Sequence, residues 1–173
     1  MLGRRTGGSN AGPKTPRKST HRRAPERPAV DTLHLVVGLL VVALNLIAGA
    51  WGGIAWLAVR PSVRFWYALR AAQAAVVLQV LVGGVLVLLG EEAEDGLHYV
   101  YGLAPLAVSL LAEGARAGVA EREVGDLAFE ALPRDRQRRI ALAIVRREMG
   151  IMAVSALVIF FLALRAAGTS TLL

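Results

Sequence analysis

The chain has 173 residues, of which 55% are hydrophobic, and it carries a formal net charge of +7 at pH 7. This apolar share exceeds the roughly 45–50% of soluble domains, and its concentration in long uncharged runs favours membrane spans over a soluble core. The absence of cysteine excludes disulfides, thiolate metal ligands and a cysteine nucleophile.

The first thirty residues are rich in Gly, Pro, Ser, Arg and Lys and contain no apolar periodicity. Such a segment buries too little surface to offset its chain entropy, so we predict a disordered basic tail at 1–30. Basic residues beside membrane helices are an ordinary topology signal, and we therefore expect no nucleic-acid partner.

Residues 31–167 are predicted to form an all-α membrane four-helix bundle. Pro105 lies inside the third span, where neighbouring groups can satisfy the carbonyl that it frees. A polar, helix-forming loop at 113–147, broken near Leu132 and Pro133, precedes the last span, and a short tail at 168–173 follows it. The spans are predicted at about 33–59, 65–90, 97–112 and 148–167.

Arginines cluster in two of the three connections, after the first span and in the loop 113–147. The positive-inside rule then places both connections in the cytoplasm and both termini outside the bacterial cytoplasmic membrane. The connection at 91–96 is acidic and carries no Lys or Arg, which agrees with this orientation.

One pattern occurs twice: LHLVVGL at 33–39 and LHYVYGL at 97–103 use two of the three histidines in the chain. It suggests two repeated helical hairpins, 33–90 and 97–167. Because the first and third spans enter the membrane from the same face, we expect His34 and His98 to lie at the same depth. Ionisable residues in spans usually face the bundle interior.

Three interpretations of the two histidines remain open. In the first, they are boundary residues that hydrogen-bond to loop groups, and Gly38 and Gly102 are packing glycines. In the second, both imidazoles ligate the iron of a b-type haem. His34 and His98 are then the iron ligands, Gly38 and Gly102 make room for the macrocycle, and Arg165 pairs with a propionate.

The third interpretation is a metal site at the outer face, where carboxylates and an imidazole could bind Zn, Mn or Fe. Its candidate ligands are Glu91, Glu92, Glu94, Asp95 and His98. Arg70, Gln73 and Gln79 of the second span could line a polar path, but we expect them to form hydrogen bonds between helices. Glu113 and Arg116 are expected to form a local ion pair.

The runs NLIAGAWG, LRAAQAAVVLQVLVGG and LHYVYGLAPL, within about residues 33–116, resemble small four-span integral membrane proteins of high-GC Gram-positive bacteria. That resemblance implies a membrane location and brings no activity with it. Helix number and paired histidines also resemble the four-helix membrane modules of b-type cytochromes and haem A synthase. We therefore expect a non-enzymatic accessory or structural subunit, with lipid, other subunits or a second copy as partners and haem binding as the alternative.

Overall fold

The computed structural model describes residues 28–91, 96–125 and 128–169, so nearly all of the predicted N-terminal tail lies outside it. Within these ranges the chain forms helices and turns and no strand, which confirms the all-α class. The helices are α1 (Pro28–Leu57), α2 (Val63–Leu88), α3 (Leu97–Ala117), α4 (Val119–Val124), a short 3-10 helix (Phe129–Ala131) and α5 (Arg134–Thr169).

In the described part of the chain, four stretches are long and apolar enough to cross a membrane: Ala29–Leu57, Val63–Leu88, Leu97–Val124 and Arg134–Gly168. Helix α5 begins well before the predicted fourth span, because the chain after Pro133 continues as one helix into the apolar region. Pro133 itself marks the break expected in the polar loop. Pro105 lies within α3 and does not interrupt it.

The four long helices pack in an order that makes α1 and α5 the centre of the bundle. Helix α1 packs against α2 and α5, α5 also packs along α3, and the contact between α2 and α3 is much smaller. Small residues allow α1 to approach both neighbours closely: a Cβ on Gly49 would lie 2.7 Å from Leu157 of α5, and Gly52 faces the buried ring of Phe65 of α2. Glycine at such contacts lets two helix backbones approach closely.

Large apolar side chains point outward and several polar side chains point inward. Leu39, Ile54 and Leu111 are 60%, 70% and 73% exposed, whereas Asn45 is 1% and Ser155 8% exposed. In water such extensive apolar surface would drive association. In lipid it meets a solvent as apolar as leucine, so the distribution is compatible with a membrane protein.

The turns after α1 and α2 share one hydrogen-bond pattern, but the residue with positive φ that closes the helix differs between them. After α2, Gly90 has φ 86°, and the Glu91 N–H donates to the Leu86 carbonyl at 3.1 Å. After α1, Val59 has φ 53°, and the Arg60 N–H donates to the Ala55 carbonyl at 2.9 Å. A left-handed residue closing a helix in this way is usually glycine, so Val59 is a strained position.

The topology gives the bundle two chemically different ends. One end, named here the histidine end, holds the starts of α1 and α3 and the ends of α2 and α5. It carries both histidines of the repeated pattern. The opposite end, here the arginine end, carries α4, the 3-10 helix and residues 134–147 of α5, which together form the cap. Both ends hold polar side chains that contact more than one helix.

Candidate functional site

The two histidines of the repeated pattern meet at the histidine end. His34 lies in the second turn of α1 and His98 in the first turn of α3, and both side chains are partly buried. Their ring centroids are 6.1 Å apart, and the ring planes are tilted by 51°. The structure therefore brings together the two residues on which the haem hypothesis depends.

Gln79 joins this pair from α2 and makes the hydrogen bond between helices that the sequence predicted for it, but the sequence did not place it beside the histidines. Its Nε2 atom lies 3.1 Å from Nε2 of His34. Because an amide NH2 group can only donate, His34 accepts this hydrogen bond and its ring proton stays on Nδ1. Three helices thus contribute one side chain each to the cluster of His34, Gln79 and His98, named here the imidazole cluster.

Three polar atoms of the imidazole cluster are buried and make no hydrogen bond to another described residue: Nδ1 of His34, Oε1 of Gln79 and Nδ1 of His98. Buried polar atoms are nearly always paired with protein, water or an ion, and leaving one unpaired costs about 1–3 kcal/mol. Three unpaired atoms from three helices in one place mark the imidazole cluster as the strongest candidate for a binding site.

The two glycines of the repeated pattern have different surroundings, Gly38 close-packed and Gly102 open. Gly38 does not offer open space, because a Cβ there would lie 3.2 Å from the Gln79 amide nitrogen. Gly102 has nothing within 4 Å of its Cβ position. Gly83 of α2 makes room for a histidine instead, since a Cβ there would lie 3.1 Å from Cε1 of His34.

Arg165 lies toward the same end, as expected, but its contact is with an aromatic ring. Its guanidinium carbon is 5.8 Å from the ring centroid of Tyr101, a cation–π arrangement. Tyr99 places its ring edge-on to His98, with 6.4 Å between the centroids. Of these side chains, Tyr99 borders the imidazole cluster through its contact with His98.

A second polar cluster, the carboxylate clamp, lies at the arginine end and is centred on Glu113 of α3. One carboxylate oxygen accepts hydrogen bonds from Arg70 at 2.5 Å and from Gln73 at 2.8 Å, both on α2. The other accepts from Arg116 at 2.9 Å, and Arg70 also donates to the Gln73 carbonyl at 2.6 Å. Arg70 and Gln73 thus make the expected bonds between helices, and together with the local Glu113–Arg116 pair they form one network across the small α2–α3 contact.

The predicted outer-face metal site cannot be placed, because residues 92–95 lie outside the described residues. Within 28–91, 96–125 and 128–169, no group of three or more His, Asp or Glu side chains converges on one point. The acidic site stays a prediction. Comparison of the chain with protein-family models, with curated proteins and with solved structures found no match.

Proposed function

We propose that this chain is a multi-pass protein of a bacterial cytoplasmic membrane that serves as a non-enzymatic accessory or structural subunit of a larger assembly. The outward-facing apolar side chains of the four long helices support the membrane location. The observation that carries the subunit role is the cap, a braced helical surface that continues directly from a span.

The length of α5 shows how far the cap extends. A helix of 36 residues is about 54 Å long at roughly 1.5 Å per residue, whereas the hydrocarbon core is about 30 Å thick. The surplus lies at the N-terminal part of α5, which presents a dense set of exposed arginines. They are Arg134, Arg136, Arg138, Arg139, Arg146 and Arg147.

Specific side-chain contacts hold the parts of the cap together. The Gln137 side-chain amide donates to the Phe129 and Leu132 carbonyls at 3.1 Å and 3.0 Å, which fastens the 3-10 helix to α5. Arg147 of α5 pairs with Glu123 of α4 at 2.5 Å. A preformed surface loses less conformational entropy on binding than a flexible loop, so the cap suits recognition of an acidic partner surface.

The orientation belongs to the same proposal. The arginine end is expected in the cytoplasm, because two arginine-bearing connections lie there. A reporter enzyme that works only outside the cytoplasm, fused after Leu173, is expected to be active. Activity of a cytoplasm-only reporter at the same position would overturn the orientation.

Native electrophoresis of gently solubilised membranes tests the subunit role. The chain is expected in a band larger than its own detergent complex, and Arg138→Glu with Arg139→Glu should release it from that band. Arg64→Glu, at the arginine end but outside the cap, should leave the band unchanged. Migration of the wild type as a free chain, with every other membrane complex intact after its deletion, would refute the proposal.

A second function, binding of b-type haem for one-electron transfer, is favoured by the spacing of the two imidazole rings. A metal held by one nitrogen of each ring at about 2.0–2.1 Å places the ring centroids roughly 5–6.5 Å apart. The observed separation of 6.1 Å falls within that range. His34 and His98 would be the axial ligands.

The surroundings of the rings set a condition on haem binding. The Gln79 amide stands beside Nε2 of His34 and fills the space next to Gly38, where a macrocycle would have to lie. Haem would therefore need Gln79 to swing away, whereas the space beside Gly102 is open. Protein expressed with supplied haem should show a Soret band that His34→Ala and His98→Ala abolish, and a colourless wild type would end this candidate.

A further inference from the structure

We propose that the imidazole cluster is a site for a divalent first-row transition-metal ion, bound through Nδ1 of His34 and Nδ1 of His98. Gln79 is the positioning residue that orients the His34 ring. The site goes beyond the subunit role and does not depend on it.

The identity of the donor atoms supports this class of ligand. Neutral imidazole nitrogen is a common protein ligand for zinc, copper, nickel and iron, and each ring presents one buried nitrogen that has no hydrogen bond to a described residue. The 6.1 Å between the ring centroids matches the roughly 5–6.5 Å expected when two imidazoles share one ion. One ion would thus satisfy an unpaired atom on α1 and another on α3.

The packing around His34 favours a bare ion over a macrocycle. An ion bridging the two rings needs only the space between them. A haem would also displace Gln79 from its place beside Gly38 and would crowd the contact between His34 and Gly83. The open coordination positions of a bare ion can be filled by water, because His34 and His98 lie within two turns of their helix starts at the histidine end.

Gln79 explains how His34 can present Nδ1 to the ion. In the observed arrangement Nε2 of His34 accepts from the amide NH2, and the ring proton occupies Nδ1. A half-turn of the amide offers its unpaired Oε1 to Nε2 instead. The proton then sits on Nε2 and donates to Gln79, and the Nδ1 lone pair becomes free for the ion without any net change in protonation. Hydrogen bonds of this kind commonly orient metal-binding histidines.

Zinc binding to the full chain in mild detergent tests the proposal, with an affinity tag that contains no histidine. After equilibrium dialysis against zinc, elemental analysis should find one zinc per chain in the wild type. His34→Gln and His98→Gln should each weaken binding at least tenfold. His21→Gln, which removes the third histidine of the chain, is the matched control and should bind as the wild type does.

Two variants of Gln79 separate positioning from folding. Gln79→Leu should weaken zinc binding by about 10- to 100-fold, because the acceptor for His34 is lost. Gln79→Glu keeps an acceptor and should restore binding to within a few-fold of the wild type. These two variants test whether Gln79 orients His34 for metal binding, even if the histidine variants aggregate.

Three results would overturn the proposal. One is a wild type that holds no more zinc than the His34→Gln/His98→Gln double variant, and another is equal zinc affinity in Gln79→Leu and Gln79→Glu. The third is a Soret band in protein that takes up no zinc, which would replace the ion by haem iron. A negative zinc result would leave the native-gel test of the subunit role unaffected.

Discussion

The close contact between α1 and α2 gives a sharp prediction at two adjacent glycines. A Cβ on Gly52 would lie 2.7 Å from Cδ2 of Phe65 and 3.0 Å from Cβ of Ala153, and closer still to Cε2 of the same ring. Phe65 is fully buried, so its ring cannot move aside. A Cβ on Gly53 would meet nothing within 4 Å. Gly52→Ala and Gly53→Ala therefore make the same chemical change in opposite environments.

The expected free energies follow from these contacts. Each substitution gains about 1 kcal/mol of helix propensity. Forcing a methyl group into a packed contact costs about 1–3 kcal/mol, and the rigid Phe65 ring places Gly52→Ala at the upper end. Gly52→Ala should lose about 2 kcal/mol of unfolding free energy and Gly53→Ala should gain about 1 kcal/mol. At about 2–4 °C per kcal/mol, the two unfolding midpoints should differ by roughly 6–12 °C.

Thermal unfolding of both variants and the wild type in one detergent measures this difference. The midpoint should rise in the order Gly52→Ala, wild type, Gly53→Ala. Equal midpoints, or the reverse order, would show that α1 does not present Gly52 to Phe65, and the helix packing described above would be wrong.

Three further outcomes are expected from the contacts of the clamp, the cap and the first turn. Glu113→Gln should lower the unfolding free energy by about 1 kcal/mol, a small value because solvent screens the partly exposed arginine partners. In the same thermal assay, Glu123→Gln should change the unfolding free energy by less than about 0.5 kcal/mol. Gln137→Ala should speed tryptic cleavage within the cap, because the 3-10 helix loses its bonds to α5, and unchanged cleavage would refute that bracing role. Val59→Gly should raise the unfolding midpoint by relieving the left-handed conformation, with a gain of about 1 kcal/mol, and a lower midpoint would contradict the strain assigned there.

The helices could be predicted from the sequence because long uncharged apolar runs leave few alternatives. The proximity of His34 and His98 could also be predicted, since hairpin topology alone places the starts of α1 and α3 at one end of the bundle. Hydrogen bonds from Arg70 and Gln73 to another helix were expected from the sequence, and so was the local pair of Glu113 with Arg116. That these residues form one carboxylate clamp depends on how α2 packs against α3, and residue spacing within a helix does not reveal that packing.

Gln79 and Gly83 could not be assigned to the imidazole cluster because apolar residues occupy every side of α2. A helix of that kind has no periodicity that reveals which side faces its neighbours. The same uncertainty about rotation explains Gly38, where the predicted open space is taken by the Gln79 amide. The only sequence signal was the presence of a single polar residue, Gln79, in the middle of an apolar run.

Cross-linking in the intact membrane tests the central claim most directly, that α1 and α3 bring their histidines together. The chain contains no cysteine, so His34→Cys with His98→Cys introduces the only two thiols. The matched control is Leu39→Cys with Leu103→Cys, five residues along in each copy of the repeated pattern, where the side chains are 60% and 55% exposed. A short bifunctional thiol reagent should cross-link the first pair within one chain and not the second. Cross-linking of the control pair alone, or of neither pair, would contradict the account.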